Sequence, residues 1–253
     1  MARLRTARFD ERLTLVEHLD ELRTRIIVCV AVLVVAVGLC FWQNHHLLHL
    51  LNDPLPGHKK PLTFGVTEPF LSTLKVSVYA GIILALPIVL YQAYAFLLPA
   101  LSPAERRVFV PFLVLVPVLF VAGVVFGYLV VLPAALKFLL HFNNDQFRVQ
   151  VRASEYYGFA TMTLLAMGVV FQVPMGILAL TRLGIVSITQ LRKNRRYAYF
   201  VLTVVAMLLP GTDPITMLVE LAPLIVLYEF SIVLARIFGR PIAGPATAAE
   251  ETG

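Results

Sequence analysis

The sequence predicts an all-α membrane protein of six transmembrane helices with both termini on one face, and three observations carry that prediction. Of 253 residues, 59% are hydrophobic and 14% charged, with a mean hydropathy of +0.82; soluble domains carry about 25% charged residues. A water-soluble enzyme is thereby excluded. Six apolar segments follow one another at 26–42, 70–98, 108–132, 156–183, 197–209 and 215–237, against the roughly 17–25 residues that a membrane helix needs. Of 21 Lys and Arg, 15 fall at the termini and in alternate loops, which sets both termini on the cytoplasmic side by the positive-inside rule. The net charge of +6 is read as belonging to those loops rather than to a nucleic-acid surface.

The elements can be justified in chain order. The first 25 residues hold six arginines and no cleavable leader pattern. Thr14-x-x-Glu17 forms a capping box. Leu15, Leu19, Leu22 and Ile26 then recur at helical spacing, with Glu17 and Glu21 one turn apart on another stripe. This is an amphipathic helix at the cytoplasmic surface that runs into span one. Cys29 and Cys40, eleven residues apart, are about 16 Å apart on a helix and cannot form a disulfide. The loop at 44–69 is rich in proline and glycine and is expected to form an ordered cap on the outer, periplasmic face. Ser102-Pro103-Ala104-Glu105 is a second capping box, opening span three with proline in the first turn.

Pro87, Pro117 and Pro174 sit inside spans and are expected to bend them. Ser187-x-x-Gln190 opens a short basic helix, and Asp213-Pro214 caps and starts span six. Span five has 13 residues between Arg196 and Pro210, about 20 Å against about 30 Å of hydrocarbon. The hairpin of spans five and six should therefore stop short of the outer surface, with local bilayer thinning and packing against a partner helix. Residues 1–240 form one polytopic domain, and 241–253 a disordered tail.

Chemistry is sparse. No serine-hydrolase, zinc-protease or phosphate-loop pattern occurs, so no catalytic residues and no cofactor are expected. His45 and His49 are one turn apart but lack a third ligand nearby; they read as boundary histidines rather than as a metal site. Gln172, Glu220 and Glu229 lie within spans, where polar residues are candidates for function. Glu220 and Glu229, nine residues apart, occupy opposite faces of span six. On the cytoplasmic face Glu17, Glu21 and Glu105 admit two readings. They form a receptor for a cationic peptide, or Glu17 and Glu105 serve as caps while Glu21 pairs with Arg25 at i,i+4.

The segment Glu17-His18-Leu19-Asp20-Glu21-Leu22-Arg23-Thr24-Arg25 resembles the N-terminal motif of the TatC family, receptor subunits of twin-arginine protein translocases. So do Pro87 to Leu101 followed by Glu105-Arg106-Arg107, Phe171-Gln172-Val173-Pro174, and Pro210-Gly211-Thr212-Asp213-Pro214. These run in order from about Leu15 to Arg240. The resemblance implies binding of Arg-Arg signal peptides of folded proteins, with Glu21 and Glu105 holding the arginine pair and Leu19, Arg23, Phe96 and Arg106 around them. It implies the single-span partners TatB and TatA, contacted through Gln172, Glu220, Met207 and Asp213. It also implies oligomeric assembly in a bacterial cytoplasmic membrane and the proton-motive force as energy source. Two positions depart from the family pattern: Gln172 stands where a glutamate is common, and Leu209 where a polar residue is. Either charge is unnecessary at 172 or Glu220 compensates. A small-solute transporter is the competing reading, and the absence of an internal repeat opposes it.

Overall fold

The leucine stripe and the first apolar run form one uninterrupted helix, α1 (Leu15–Trp42). The computed structural model describes residues 15–55, 60–97, 103–142, 146, 149–182, 185–211 and 213–238, with backbone alone at 15–18, 97, 103–112 and 238. The caps expected from Thr14 and Ser102, and the tail at 241–253, lie outside the described residues. After α1 come α2 (Asn44–Asn52), α3 (Glu68–Leu97), α4 (Pro103–Phe126), α5 (Leu132–His141), α6 (Ala153–Val170), α7 (Val173–Arg182), α8 (Ile188–Lys193), α9 (Arg195–Leu208) and α10 (Pro214–Phe238).

Among the described residues five stretches are long and apolar enough to cross a membrane: Leu19–Trp42, Glu68–Phe96, Leu113–His141, Ala153–Arg182 and Pro214–Ile237. The sixth, α9, has 14 residues and spans about 21 Å, short of the hydrocarbon thickness. Span three runs further than its hydropathy suggests, through a π-helical turn at Gly127–Val131 and on to His141. Leu132 N–H reaches back five residues to the Gly127 carbonyl, just ahead of Pro133, which has no N–H to give. Span four is interrupted at Phe171 and Gln172, because Pro174 cannot donate to the preceding turn. By contrast α3 and α4 run on through Pro87 and Pro117.

The expected cap is present, and it contains the helix α2. The turn-forming residues that dominate the segment begin only at Asp53, after that helix has ended. Tyrosines from the bundle satisfy the last carbonyls of α2, groups a helix end leaves without partners. Tyr156 donates to Leu51 O, and Tyr128 to Leu50 O at 2.8 Å. Tyr157 donates to Asn52 Oδ1 at 3.0 Å. A parallel bridge joins Leu62 to Arg152, through Leu62 N–H to Val151 O and Ala153 N–H to Leu62 O, both 2.8 Å. Leu51, Leu55, Val76, Leu136 and Tyr156 form a buried cluster beneath it.

In the bundle, α1 packs chiefly on α3, α6 lies against both α3 and α4, and α10 against α7 and α9. Small residues allow the close approach of α4 to α6. A Cβ at Gly123 would lie 2.5 Å from Met167 O, and one at Gly168 would lie 2.6 Å from Phe120 Cε2. Val34 and Val35 of α1, and Val226 and Val233 of α10, stay exposed, as surface facing lipid does. The end opposite the cap, where α1 begins and α7 leads through α8 to α9, is called the basic end below.

Candidate functional site

At the basic end α1 and α3 enclose an open groove of 460 Å³ lined by Asp20, Glu21, Thr24, Arg25, Val28 and Gln92. Helical spacing puts Glu21, Arg25 and Val28 on one face of α1, turned toward α3. Arg25 Nε donates to Glu21 Oε1 at 2.9 Å, and Arg25 Nη1 donates to Gln92 Oε1 at 2.7 Å. One guanidinium thus fastens the carboxylate of α1 to the carboxamide of α3. The side chains of Arg25 and Glu21 are 23% and 26% exposed, so the pair is reachable from water and partly screened by it. The i,i+4 pairing read from the sequence is therefore present.

The other predicted residues divide by position. Leu19 and Arg23 are exposed on α1, and Phe96 is half-buried near the end of α3. Glu105 and Arg106 belong to the first turn of α4, but their side chains lie outside the described residues. Gln92 received no role from sequence, although it lies inside the second motif. Its signal is an amide within an otherwise apolar span.

Deeper in the bundle, the Gln172 carboxamide donates from Nε2 to Val116 O at 3.2 Å, tying the break in span four to α4. Its Oε1 is buried without a partner among the described residues. An ionised carboxylate at this position could not make the bond that Gln172 makes, since it has no hydrogen to donate. Glu220 is fully buried on α10, and neither carboxylate oxygen has a hydrogen-bond partner among the described residues. By residue count Glu220 lies about 27 Å from the basic end of α10, and Gln172 about 15 Å from that of α7. On the opposite face Glu229 accepts from Arg195 Nη2 and from Tyr199 OH, each at 2.7 Å, which joins α9 to α10.

Asp213 caps α10 as expected, with Thr216 N–H donating to Oδ1 at 2.8 Å. Met207 is exposed near the end of α9. The third expected cap is also formed: Gln190 N–H donates to Ser187 Oγ at 3.1 Å, and Ser187 N–H to Gln190 Oε1 at 2.9 Å. At the cap end Glu68 accepts from Phe64 N–H at 2.8 Å and from Arg152 Nε at 2.9 Å. Gly65 and Ser154 N–H add longer bonds to it. The Glu68 carboxylate holds the Arg152 guanidinium above its ordinary pKa.

Residues 17–223 match the family model described as TatC, the Sec-independent protein translocase protein. The TatC protein of Carboxydothermus hydrogenoformans is 39% identical over 229 residues, covering 90% of this chain and 94% of that protein. That of Escherichia coli K12 is 35% identical over 229 residues, covering 88% of each. A crystal structure described as the twin arginine translocase receptor TatC in DDM superposes with a TM-score of 0.77 at 32% identity. It covers 88% of this chain and 100% of the other.

Proposed function

The chain belongs to the TatC family of Sec-independent protein translocase proteins, and from that premise we propose that its basic end reads the Arg-Arg signal peptides of folded proteins. It is a multi-pass membrane protein and a component of a translocase. The single observation that carries the finer reading is the guanidinium already seated on Glu21. Arg25 meets that carboxylate at 2.9 Å while Gln92 holds it from the other side. A carboxylate that accepts two N–H groups of a planar fork is matched to arginine rather than lysine. Glu105, at the head of α4 in the same end of the bundle, supplies the second carboxylate. Leu19, Arg23, Phe96 and Arg106 border the peptide. An arriving arginine competes with Arg25 for Glu21, and Gln92 gives the displaced guanidinium an acceptor.

The basic end faces the cytoplasm of a bacterial plasma membrane, with both termini on that side, by the distribution of positive charge. TatB and TatA dock against the short hairpin of α9 and α10 and the neighbouring break in span four, where exposed Met207 and the polar side chains of Asp213, Glu220 and Gln172 are the contacts. Buried oxygens on Asp213, Gln172 and Glu220 that have no partner among the described residues support that assignment, since a polar side chain of a partner helix satisfies them. The proton-motive force drives export in the assembled complex.

The test is binding of Arg-Arg and Lys-Lys signal peptides to purified, folded protein carrying Glu21→Gln or Glu105→Gln. A charge-assisted bond replaced by a neutral one loses about 1 kcal/mol, so each variant should bind the Arg-Arg peptide about fivefold more weakly. A capping role predicts silence for Glu105→Gln, because glutamine caps equally well. Parent-like affinity in both variants would refute the receptor site.

A further inference from the structure

At the cap end the positive ends of two long helices meet: α3 begins at Glu68 and α6 at Ala153, beside the Leu62–Arg152 bridge. Below them lie two adjoining cavities. The upper, of 290 Å³, is lined by Thr67, Glu68, Ser72, Lys75, Arg152 and Ser154 among others. The lower, of 550 Å³, shares Lys75, Arg152 and Ser154 and continues along Tyr79, Phe159, Met162 and Leu208. Polar groups therefore line the top and mostly apolar side chains the bottom.

Three features of the upper cavity require an explanation. Ser72 is 4% exposed, and its hydroxyl has no partner among the described residues. Lys75 forms no ion pair among the described residues, although it lines both cavities. Its ammonium lies across Gly158 of α6, where a Cβ would come within 2.8 Å of Nζ. The carboxylates present are engaged elsewhere. Glu68 accepts four hydrogen bonds, and Glu155 stands on the rim, 3.7 Å from Arg152 Nη1. Two helix N-termini, a buried hydroxyl and an unpaired ammonium together favour an anion.

Depth says what kind of anion. Lys75 is about 10 Å along α3 from its start, and Met162 about 13 Å along α6. Leu208, the last residue of α9, and Pro210 line the same lower cavity. The hairpin therefore ends at the level where Lys75 sits, about 10 Å short of the helices beside it. A 30-residue α3 exceeds a hydrocarbon layer of about 30 Å by roughly 15 Å; shared between its two ends, that excess leaves Lys75 within about one turn of the boundary between headgroups and acyl chains.

We propose that this groove holds one phospholipid of the leaflet at the cap end, its phosphate on Lys75 and Ser72 and an acyl chain along Phe159, Met162 and Leu208. The lipid fills the space that the short hairpin leaves open and draws the headgroup layer toward its tip. Native mass spectrometry of the full chain, released from nanodiscs of phosphatidylglycerol and phosphatidylethanolamine, should retain one phospholipid per chain. Lys75→Gln should lower that occupancy about tenfold, and Lys75→Arg should preserve it. Met162→Trp keeps every charge but fills the apolar groove, and it too should release the lipid; it decides the matter if Lys75→Gln does not fold. Added inorganic phosphate should leave the lipid bound. Retention by Lys75→Gln or by Met162→Trp, or displacement by inorganic phosphate alone, would overturn the proposal.

Discussion

Replacing Gly123 by alanine should destabilise the isolated protein by about 1–2 kcal/mol. The added methyl would stand 2.5 Å from Met167 O and 2.8 Å from Cβ and Cγ of Phe171. The first of these is backbone and cannot rotate away, so α4 and α6 must separate by about 0.8 Å to restore an ordinary C···O contact. Because the obstructing atom is backbone, the cost falls in the upper part of the usual overpacking range, about 2–3 kcal/mol, offset by the helix propensity of alanine, close to 1 kcal/mol. The separation also strains the hydrogen bond from Gln172 to Val116 O at 3.2 Å, because Val116 lies two turns from Gly123 on the same helix. Gly176→Ala is the matched control: a Cβ there meets nothing within 4 Å, so it should be neutral or stabilising by up to about 1 kcal/mol. Thermal unfolding in maltoside detergent, followed by circular dichroism, compares the two. A Gly123→Ala protein as stable as its parent would refute the close-packing argument, provided Gly176→Ala behaves as expected.

Glu229→Leu removes the acceptor of both Arg195 and Tyr199 and should cost about 1–2 kcal/mol in the same unfolding assay. Faster protease cleavage at the basic end of the hairpin should accompany it. Glu68→Gln removes the charge that anchors Arg152 and should open the cap to limited proteolysis while peptide affinity at the far end stays unchanged. Glu220→Leu should stabilise the isolated chain by about 1–3 kcal/mol, since it deletes two buried oxygens that have no partners among the described residues. The same variant should weaken co-purification with TatB or TatA, and an unaltered complex would remove Glu220 from the partner surface.

What was legible in the sequence was local. Apolar run length gives the spans, the short α9 among them. Three-residue spacing gives the caps at Ser187 and Asp213, and four-residue spacing gives the pair of Glu21 with Arg25. The misses are all contacts across long separations, or elements whose stability comes from such contacts. Helix α2 is nine residues, too short to hold without tertiary support, and that support comes from tyrosines about a hundred positions away. Nothing near Glu68 in sequence announces Arg152, 84 residues on. The continuation of span three to His141 was hidden because Pro133 reads as a stop, whereas the π-helical turn before it lets the helix carry on. Gln92 was visible as an amide, but its bond to Arg25 depends on α1 lying across α3.

One kind of bond recurs at three places among the described residues. Glu21 takes Arg25 within α1, Glu68 takes Arg152 between the cap and the start of α6, and Glu229 takes Arg195 between α9 and α10. At the second and third the pair braces two separate segments. At the first the guanidinium itself reaches across to α3. All three sit toward the ends of the bundle, where water screens the ions and lowers the desolvation cost. Glu220 breaks the pattern, being fully buried with no guanidinium or other donor among the described residues. A carboxyl group kept in such a place destabilises the chain that carries it, and bracing among the described residues does not account for it. Under the proposed function the groups left over from internal bracing mark the points of contact: the Glu21 carboxylate, held by an arginine that can be exchanged, for the peptide, and Glu220 for a partner helix. Under that reading the fold separates its braces from its docking points by one chemical criterion, whether the carboxylate already holds an arginine that must stay.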